Sequence, residues 1–317
     1  MAATIDVVVP VHNHYALTSA CLKHLACQTA PHRVIVVDDG SSDGTPALLR
    51  RDWPEVTTIE LGSNLGYTRA VNRGVSAGEG EYVVLLNNDV ELHPDCLERL
   101  TLPMANAEIG SVAALMLVPG EATIDSLGVT ADATLAGFAR LQGRPVVDAR
   151  QCDPLLTGPE GTAGAYRRGA WEQVGGLDEG IHAYMEILDL ALRLHTADWK
   201  TASAPDAIGV HLGSSTYGRR SATQRRLSGF SRGYLLRRYG VMRSRAAARA
   251  LVTETIVTAA DMLLCRDPQA LRGRVEGWRA ARGHQRRQWP PATAVDASIS
   301  LRDSLALRRG AVRPLRS

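Results

Sequence analysis

The stretch "IDVVVPVHNHYALTSACLKHLACQTAPHRVIVVDDGSSDG", Ile5 to Gly44, changes its period twice. Residues 5–11 are a short β-branched run, the pattern of a strand buried on both faces. Residues 15–28 space their apolar side chains as a helix does. Residues 32–40 return to a β-branched run and end in Asp38, Asp39 and Gly40. Strand, helix and strand in this order predict a β–α–β unit with parallel strands.

The alternation continues outward from that unit. Residues 43–53 start a helix with Pro46 in its first turn. Residues 56–61 read as a third strand, 66–78 as a helix ending near Gly78, and 81–92 as a fourth strand that ends in polar residues. A helix over 94–105 and a strand over 110–117 follow. The pattern predicts an α/β fold: a mostly parallel central sheet flanked by helices. Residues 121–160 have a weak pattern and read as loops and irregular strands. "GTAGAYRRGAWEQVGGLDEG" (161–180) reads as strand, helix and glycine turn. "HAYMEILDLALRL" (182–194) reads as a helix with two acids, Glu186 and Asp189, in an apolar pattern. Residues 202–216 read as strand and loop. The last hundred residues have helical periodicity, and from about Gln288 the chain reads as loop-like or disordered.

Composition narrows the class. The 317 residues are 45% hydrophobic and 22% charged, as in an ordinary soluble globular protein. No apolar run approaches the roughly 20 residues that span a bilayer, and no secretory signal precedes the first strand. Five scattered cysteines with no CxxC pair predict reduced thiols in a cytoplasmic protein. The net charge of +3 hides an asymmetry. From Arg219 onward there are 22 Arg, no Lys and 6 acids, a net of +16, which leaves −13 on the first 218 residues. A basic tail on an acidic body suggests a negatively charged partner or surface. Arg219, Arg220, Arg225, Arg226 and Arg232 suit a phosphate-bearing ligand. Arg237, Arg238, Arg243, Arg245 and Arg249 predict a solvated helix face, or peripheral contact with anionic lipid at the inner face of a membrane. Aromatics are only 5% and no recognition module is present, which argues against nucleic acid.

Three polar clusters close three predicted strands: "PVHN", "DDGSSDG" and "NND". Ligands of such sheets bind beyond the carboxyl ends of the strands. Of Asp38 and Asp39, one can accept a base N–H while the other caps the following turn. Asp89 follows Asn87 and Asn88. Hard divalent cations choose oxygen ligands and often bind nucleotide phosphates with one or two carboxylates. His211, in "GVHLGSS", would add an imidazole, which suits Mn²⁺ better than Mg²⁺.

The ordered set "VVVPVHN", "VVDDGSSDGT", "NLGYTRAVNRG", "EYVVLLNNDVEL", "GAYRRGAWEQVGGLDE" and "VHLGSST" resembles family 2 glycosyltransferases of the GT-A fold, most nearly the rhamnosyltransferase-like members. The resemblance covers roughly residues 4–216. It implies a GT-A catalytic region over 1–216, followed by a mostly helical, Arg-rich region over 217–317. It implies a nucleotide-diphospho-sugar donor (dTDP, UDP or GDP), a divalent metal (Mn²⁺ or Mg²⁺) and inversion in one displacement. The acceptor would be a hydroxyl on a glycan, a lipid-linked intermediate or a natural product. On the family's pattern Pro10 and Asn13 line the nucleotide pocket and Asp39 meets the base. Asn64, Gly66, Arg69 and Asn72 match the donor-side loop and helix. Asn88 falls near the ribose or phosphate, and Asp89 and His211 bind the metal. Asn87 replaces the first Asp of the family's Asp-x-Asp motif.

A second departure concerns the base. An inverting transferase needs a carboxylate close to the acceptor hydroxyl. Similar proteins read Glu-Asp-x-Asp here; this chain reads Glu186, Ile187, Leu188, Asp189. The expected base is therefore Ile187, which cannot accept a proton. Three readings stand: Glu186 acts, Asp189 acts, or no side chain of this segment does. In the last case the chain uses another base or a very acidic acceptor, or is a non-catalytic GT-A protein that binds nucleotide or partners an active transferase. Leu188, Leu190, Leu192 and Leu194 read as packing residues.

Overall fold

The computed structural model describes residues 4–213 and 221–308. Among these, the strands are β1 (Ile5–Val11), β2 (His32–Asp38), β3 (Thr57–Glu60), β4 (Tyr82–Leu86), β5 (Val90–Leu92), β6 (Ile109–Leu117), β7 (Ile124–Ser126), β8 (Val129–Ala131), β9 (Gly137–Ala139), β10 (Ala163–Arg167) and β11 (Lys200–His211). The helices are α1 (Tyr15–Ala26), α2 (Thr45–Asp52), α3 (Tyr67–Ser76), α4 (Cys96–Thr101), α5 (Arg168–Gln173), α6 (Glu186–Thr196), α7 (Ala222–Arg238), α8 (Ala247–Cys265), α9 (Gln269–Ala280) and α10 (Leu301–Leu307).

The sheet runs in the order β3–β2–β1–β4–β10–β6–β11–β5, with β7 beside β6. β3, β2, β1 and β4 are mutually parallel, as the first alternation predicts. β10 enters antiparallel between β4 and β6. Successive side chains of β1 point to opposite faces. Val7 and Val9 pack with Leu22 and Leu25 of α1, while Val8 packs with Val71 and Val75 of α3. Two covered faces explain why the strand is a continuous β-branched run. A Cβ on Gly74 would lie 2.4 Å from the Val8 side chain, so glycine lets α3 sit close on the sheet.

Three segments depart from the sequence reading. Residues 81–92 are not one strand. β4 stops at Leu86, Asn87 to Asp89 turn, and β5 pairs antiparallel with the end of β11. The turn is held by Asn87 N–H donating to the Thr162 carbonyl (3.0 Å) and Leu212 N–H donating to that of Asp89 (3.0 Å). Next, α6 begins at Glu186 rather than near His182, because Tyr184 and Met185 hold left-handed backbone angles (φ 67° and 62°). Finally, residues 288–300 are loop-like, as read, but docked rather than disordered, and 301–307 form a helix. Asp296 N–H donates to the Ala131 carbonyl (2.7 Å), Ile299 is fully buried, and Ser300 and Asp303 form a capping box on α10. This segment docks through single side chains and so shows no period.

The C-terminal helices share an apolar cluster with α6: Leu188 and Leu192 meet Tyr234, Leu235, Leu236 and Tyr239. α7 and α9 touch through glycine. A Cβ on Gly233 would lie 2.0 Å from the Arg274 carbonyl oxygen, and one on Gly277 1.9 Å from that of Phe230. Many arginines of this region pair with carboxylates instead of forming a free basic face. Arg238 meets Asp178 (3.5 Å) and Arg249 meets Asp132 (3.2 Å), whereas Arg237 lies over the Trp278 ring. Arg243 and Arg245 are exposed. Among the described residues no helix is long and apolar enough to cross a membrane.

Candidate active site

A cleft of about 310 Å³ opens beyond the carboxyl ends of β1, β2 and β4, where a doubly wound sheet places its ligands. Three walls divide it.

The first wall is Pro10, His12, Asp39 and Asn64. Asp39 is buried; its Oδ1 accepts from Leu65 N–H (2.6 Å) and its Oδ2 from Gly66 N–H (2.9 Å). Those bonds aim the carboxylate and leave lone pairs for a ligand N–H. The His12 ring Nδ1 meets the Asp39 carbonyl at 2.9 Å. Asp38 does the turn work: its Oδ1 accepts from Ser41 N–H (3.0 Å). Gly66 shapes this wall from behind. Its φ is 95°, and a Cβ would lie 2.3 Å from the His182 ring.

Asn13, Arg69 and Asn72 are not brought to the cavity. Asn13 accepts from Ser42 N–H (2.8 Å) and so staples the two loops together. Arg69 pairs with exposed Glu179 at 3.4 Å. Asn72 both donates to and accepts from the Leu177 backbone, at 2.9 Å each. The latter two tie α3 to the loop before α6.

The second wall is Asn87, Asn88, Asp89 and His211. The β4–β5 break brings Asp89 against the end of β11, so Asp89 Oδ2 lies 3.4 Å from His211 Nε2. His211 Nδ1 is held by Asp125 Oδ2 at 2.7 Å. Burial opposes charge on the ring, but bonds to Asp125 and Asp89 outweigh it and push its pKa up to about 10. Asn88 donates to the Thr18 hydroxyl at 3.0 Å. Among the described residues no group of three or more His, Cys, Asp or Glu is arranged to hold a metal. Asp89 and His211 nonetheless fit one: a hard oxygen and an imidazole face the cavity, the ring ligating once a cation beside Asp89 displaces its Nε2 proton, and a carboxylate behind the ring fixes its orientation, as is usual for ligating histidines. Diphosphate oxygens would complete such a set. Asp125 escaped the sequence reading because β7 is three residues long and shows no period.

The third wall is Tyr67, Glu160, Gly161, Thr162, Tyr184 and Glu186. Glu186 is the first residue of α6, turned into the cleft by the two left-handed residues before it. Such angles cost on the order of 1–3 kcal/mol each and persist only where surrounding structure enforces them. Glu186 is 8% exposed, and its Oε2 is buried with no hydrogen-bond partner among the described residues. Burial pushes its pKa up to about 7, with Glu160 adding to the rise. Glu160 is held by Thr162, whose N–H donates to its Oε2 at 2.8 Å. Burial also raises the Tyr67 phenol well above its usual value, so it stays neutral. Sequence reasoning missed Tyr67 and Glu160, since neither stands in a polar cluster at a strand end.

Ile187 is buried in the core with Leu190 and Tyr166. Asp189 is absent from all three walls. It is fully buried, paired with Arg193 (2.9 Å) and Arg287, and accepts from the Tyr239 hydroxyl (3.0 Å). Its neighbours account for it as a packing acid. Arg225 pairs with Asp267, Arg226 with Glu276, and buried Arg232 with Glu254; none lines the cleft. Arg219 and Arg220 lie outside the described residues.

Comparison with known proteins places this geometry. Residues 6–175 match the family described as glycosyl transferase family 2. The chain belongs to that family. It is 30% identical over 217 residues to the N-acetylglucosaminyl-diphospho-decaprenol L-rhamnosyltransferase of Mycobacterium tuberculosis, covering 61% of this chain and 70% of the relative. It is 27% identical over 179 residues to the beta-monoglucosyldiacylglycerol synthase of Synechocystis, covering 53% of this chain and 35% of that one. In fold it is similar to the mannosyltransferase PcManGT from Pyrobaculum calidifontis, solved with GDP-Man and Mn²⁺ (TM-score 0.53, 19% identity, 87% and 85% of the two chains). It is also similar to GalNAc-T7, solved with UDP, GalNAc and Mn²⁺ (TM-score 0.61, 13% identity, 81% and 51%). The fold is GT-A, and the chain is a rhamnosyltransferase-like glycosyltransferase.

Proposed function

We propose that this transferase moves a sugar, with inversion, from a nucleotide-diphospho-sugar to a sugar hydroxyl of a lipid-diphosphate acceptor, and that Glu186 is the base. The observation that carries the reading is the Glu186 carboxylate: it faces the cleft, lacks a partner on Oε2 and has a pKa near 7. A base works best when its pKa lies near the working pH. The acceptor oxygen forms the new bond to the anomeric carbon while its proton passes to Glu186. The bond from that carbon to the diphosphate breaks on the opposite face, so the configuration inverts. Asp89 and His211 would hold the divalent cation, Mn²⁺ or Mg²⁺, that neutralises the departing diphosphate. Asp39 accepts the base N–H of a dTDP, UDP or GDP donor, with Pro10 and Asn64 beside it. The lipid acceptor is supported by the Mycobacterium relative, whose name specifies a decaprenol diphosphate. It is also supported by exposed Leu263 and Leu264 at the end of α8. Such an acceptor sets the enzyme peripherally on the inner face of a membrane.

One observation favours a second reading, a GT-A protein that binds nucleotide without turnover: the position of the family's base is Ile187, buried in the core. Incubation with a panel of nucleotide-diphospho-sugars and Mn²⁺ separates the two. Slow hydrolysis of at least one donor is expected; nucleotide-diphosphate binding with no donor turned over supports the second reading. Asp89→Ala tests the metal pair. Partners behind a ligand are worth roughly 10–100-fold in metal affinity, so losing Asp89 should weaken Mn²⁺-dependent binding of nucleotide diphosphate at least that much. Unchanged affinity in calorimetry sinks the assignment.

A further inference from the structure

A second cavity, about 860 Å³, lies between the β8–β9 hairpin and helices α7, α8, α9 and α10. Its walls are largely apolar: Phe138 and Leu141 from the hairpin and the turn after it, Ile256, Ala260 and Leu264 from α8, and Leu305 from α10. Two observations say what it takes. The first is proximity. Met185 lines this groove, and Glu186, the next residue, lines the catalytic cleft. Leu264, on the groove wall, is 83% exposed and adjoins Leu263, which is 79% exposed. The groove thus comes within one residue of the cleft wall at one end and meets an apolar surface open to solvent at the other.

The second observation is charge. Arg232, Arg274 and Arg308, all on the groove wall, converge on one carboxylate, Glu254, at 2.7, 2.8 and 3.3 Å. Arg249 and Asp132 pair alongside them, so four guanidinium groups face two carboxylates, and Asp261 is the acid on the wall itself. The balance is positive, and guanidinium groups suit diphosphate. An apolar trough with a cationic cluster matches an amphiphile with a long chain and a diphosphate head.

We propose that this groove binds the isoprenoid diphosphate portion of the acceptor. The chain lies along α8, the arginine cluster meets the diphosphate, and the attached sugar reaches past Met185 to Glu186. The proposal rests on the lipid-acceptor reading and adds the site that performs it. The volume is within the roughly 300–1,000 Å³ of ligand pockets.

The test is calorimetric titration of the full chain, without donor, using geranylgeranyl diphosphate, geranylgeraniol and inorganic pyrophosphate as probes. Geranylgeranyl diphosphate should bind at least ~10-fold more tightly than pyrophosphate, because each buried methylene adds to affinity. Ala260→Trp, which fills the trough, should weaken it by about 10-fold or more. Thermal unfolding reports whether that variant is folded; if it is not, Ile256→Asp at the half-exposed rim takes its place. Arg308→Ala should weaken the diphosphate but not the alcohol. Equal affinity for pyrophosphate, or unchanged affinity in the folded trough variant, overturns the proposal. So does conversion of a dimer to a monomer by Ala260→Trp, which would make the groove a contact between copies. The two readings fail separately. Lipid binding with no donor turned over sinks the transferase and keeps the groove, whereas donor turnover with no lipid binding does the reverse.

Discussion

Two carboxylates stand three residues apart on α6 and meet opposite surroundings. Glu186 opens the helix at the cleft, with one oxygen unpartnered and burial raising its pKa to about 7. Asp189, almost one turn on, is sealed against the C-terminal region by Arg193, Arg287 and Tyr239. Both are buried, so burial alone does not set their roles. Counter-charge does: burial drives Glu186 toward its neutral form, whereas Asp189 lies between two guanidinium groups. Helix spacing places the two on nearly the same side, yet Glu186, in the first turn, meets the cleft while Asp189 meets Tyr239 and Arg287.

The sharpest way to break this contrast is to neutralise each acid in turn. Glu186→Gln keeps shape and removes the base; general-base catalysis is worth about 10²–10⁴-fold, so kcat should fall by that factor with donor affinity unchanged. A variant with near-normal kcat means the proton goes elsewhere. Asp189→Ala should do the opposite. It strands Arg193 and Arg287 without their buried partner, a loss of roughly 3–5 kcal/mol in urea unfolding, while the fraction still folded keeps its kcat. If kcat falls and stability holds, the roles of the two acids are reversed.

The contrast was half legible in the sequence. Strands β1, β2 and β4 showed because both faces are covered, and their polar ends showed as clusters at the same edge. Asp39, Asp89 and His211 follow from those clusters and from family resemblance. The i,i+4 pair of Asp189 with Arg193 was readable too. Its second partner was not: Arg287 comes from far along the chain, in a segment whose pattern gave no element. The Arg-rich tail looked like a solvated surface for the same reason, since the acids that neutralise Arg238 and Arg249 sit on the loop before α6 and beside β8. Asp125 and Glu160 fall in residues 121–160, where strands of three residues are too short to show a period.

The acidity of Glu186 supplies a finer test. Its pKa is raised from 4.5 to about 7 by burial first and Glu160 second. The other titratable groups around it, Tyr67 and Tyr166, are pushed upward and stay neutral across this range. A carboxyl with a raised pKa binds its proton more tightly folded than unfolded. It therefore favours the fold fully below about 4.5, and that contribution is lost as pH rises through about 7. The shift is worth on the order of 3 kcal/mol. Wild type should lose about that much stability between pH 4 and pH 8 relative to Glu186→Gln, measured by urea unfolding. Transfer should rise over the same interval as the base ionises. A difference between the two proteins that is flat with pH denies the raised pKa.

The smallest effect isolates the packing side. Tyr239 is buried and donates its hydroxyl to Asp189 Oδ1 at 3.0 Å. Tyr239→Phe keeps the ring and deletes that donor. A hydrogen bond to a charged group contributes roughly 1.5–3 kcal/mol, and Asp189 retains both guanidinium partners, so the loss should fall near the lower end. Donor turnover should not change. The decisive measurement is the double variant. In an Asp189→Ala background the hydroxyl has lost its carboxylate acceptor, so adding Tyr239→Phe should cost little further stability. The coupling between the two changes should then be about as large as the single Tyr239→Phe loss. Full additivity would mean that the hydroxyl acts through another acceptor, such as the Asp189 backbone carbonyl at 3.4 Å, and that the Asp189 carboxylate is held by its arginines alone.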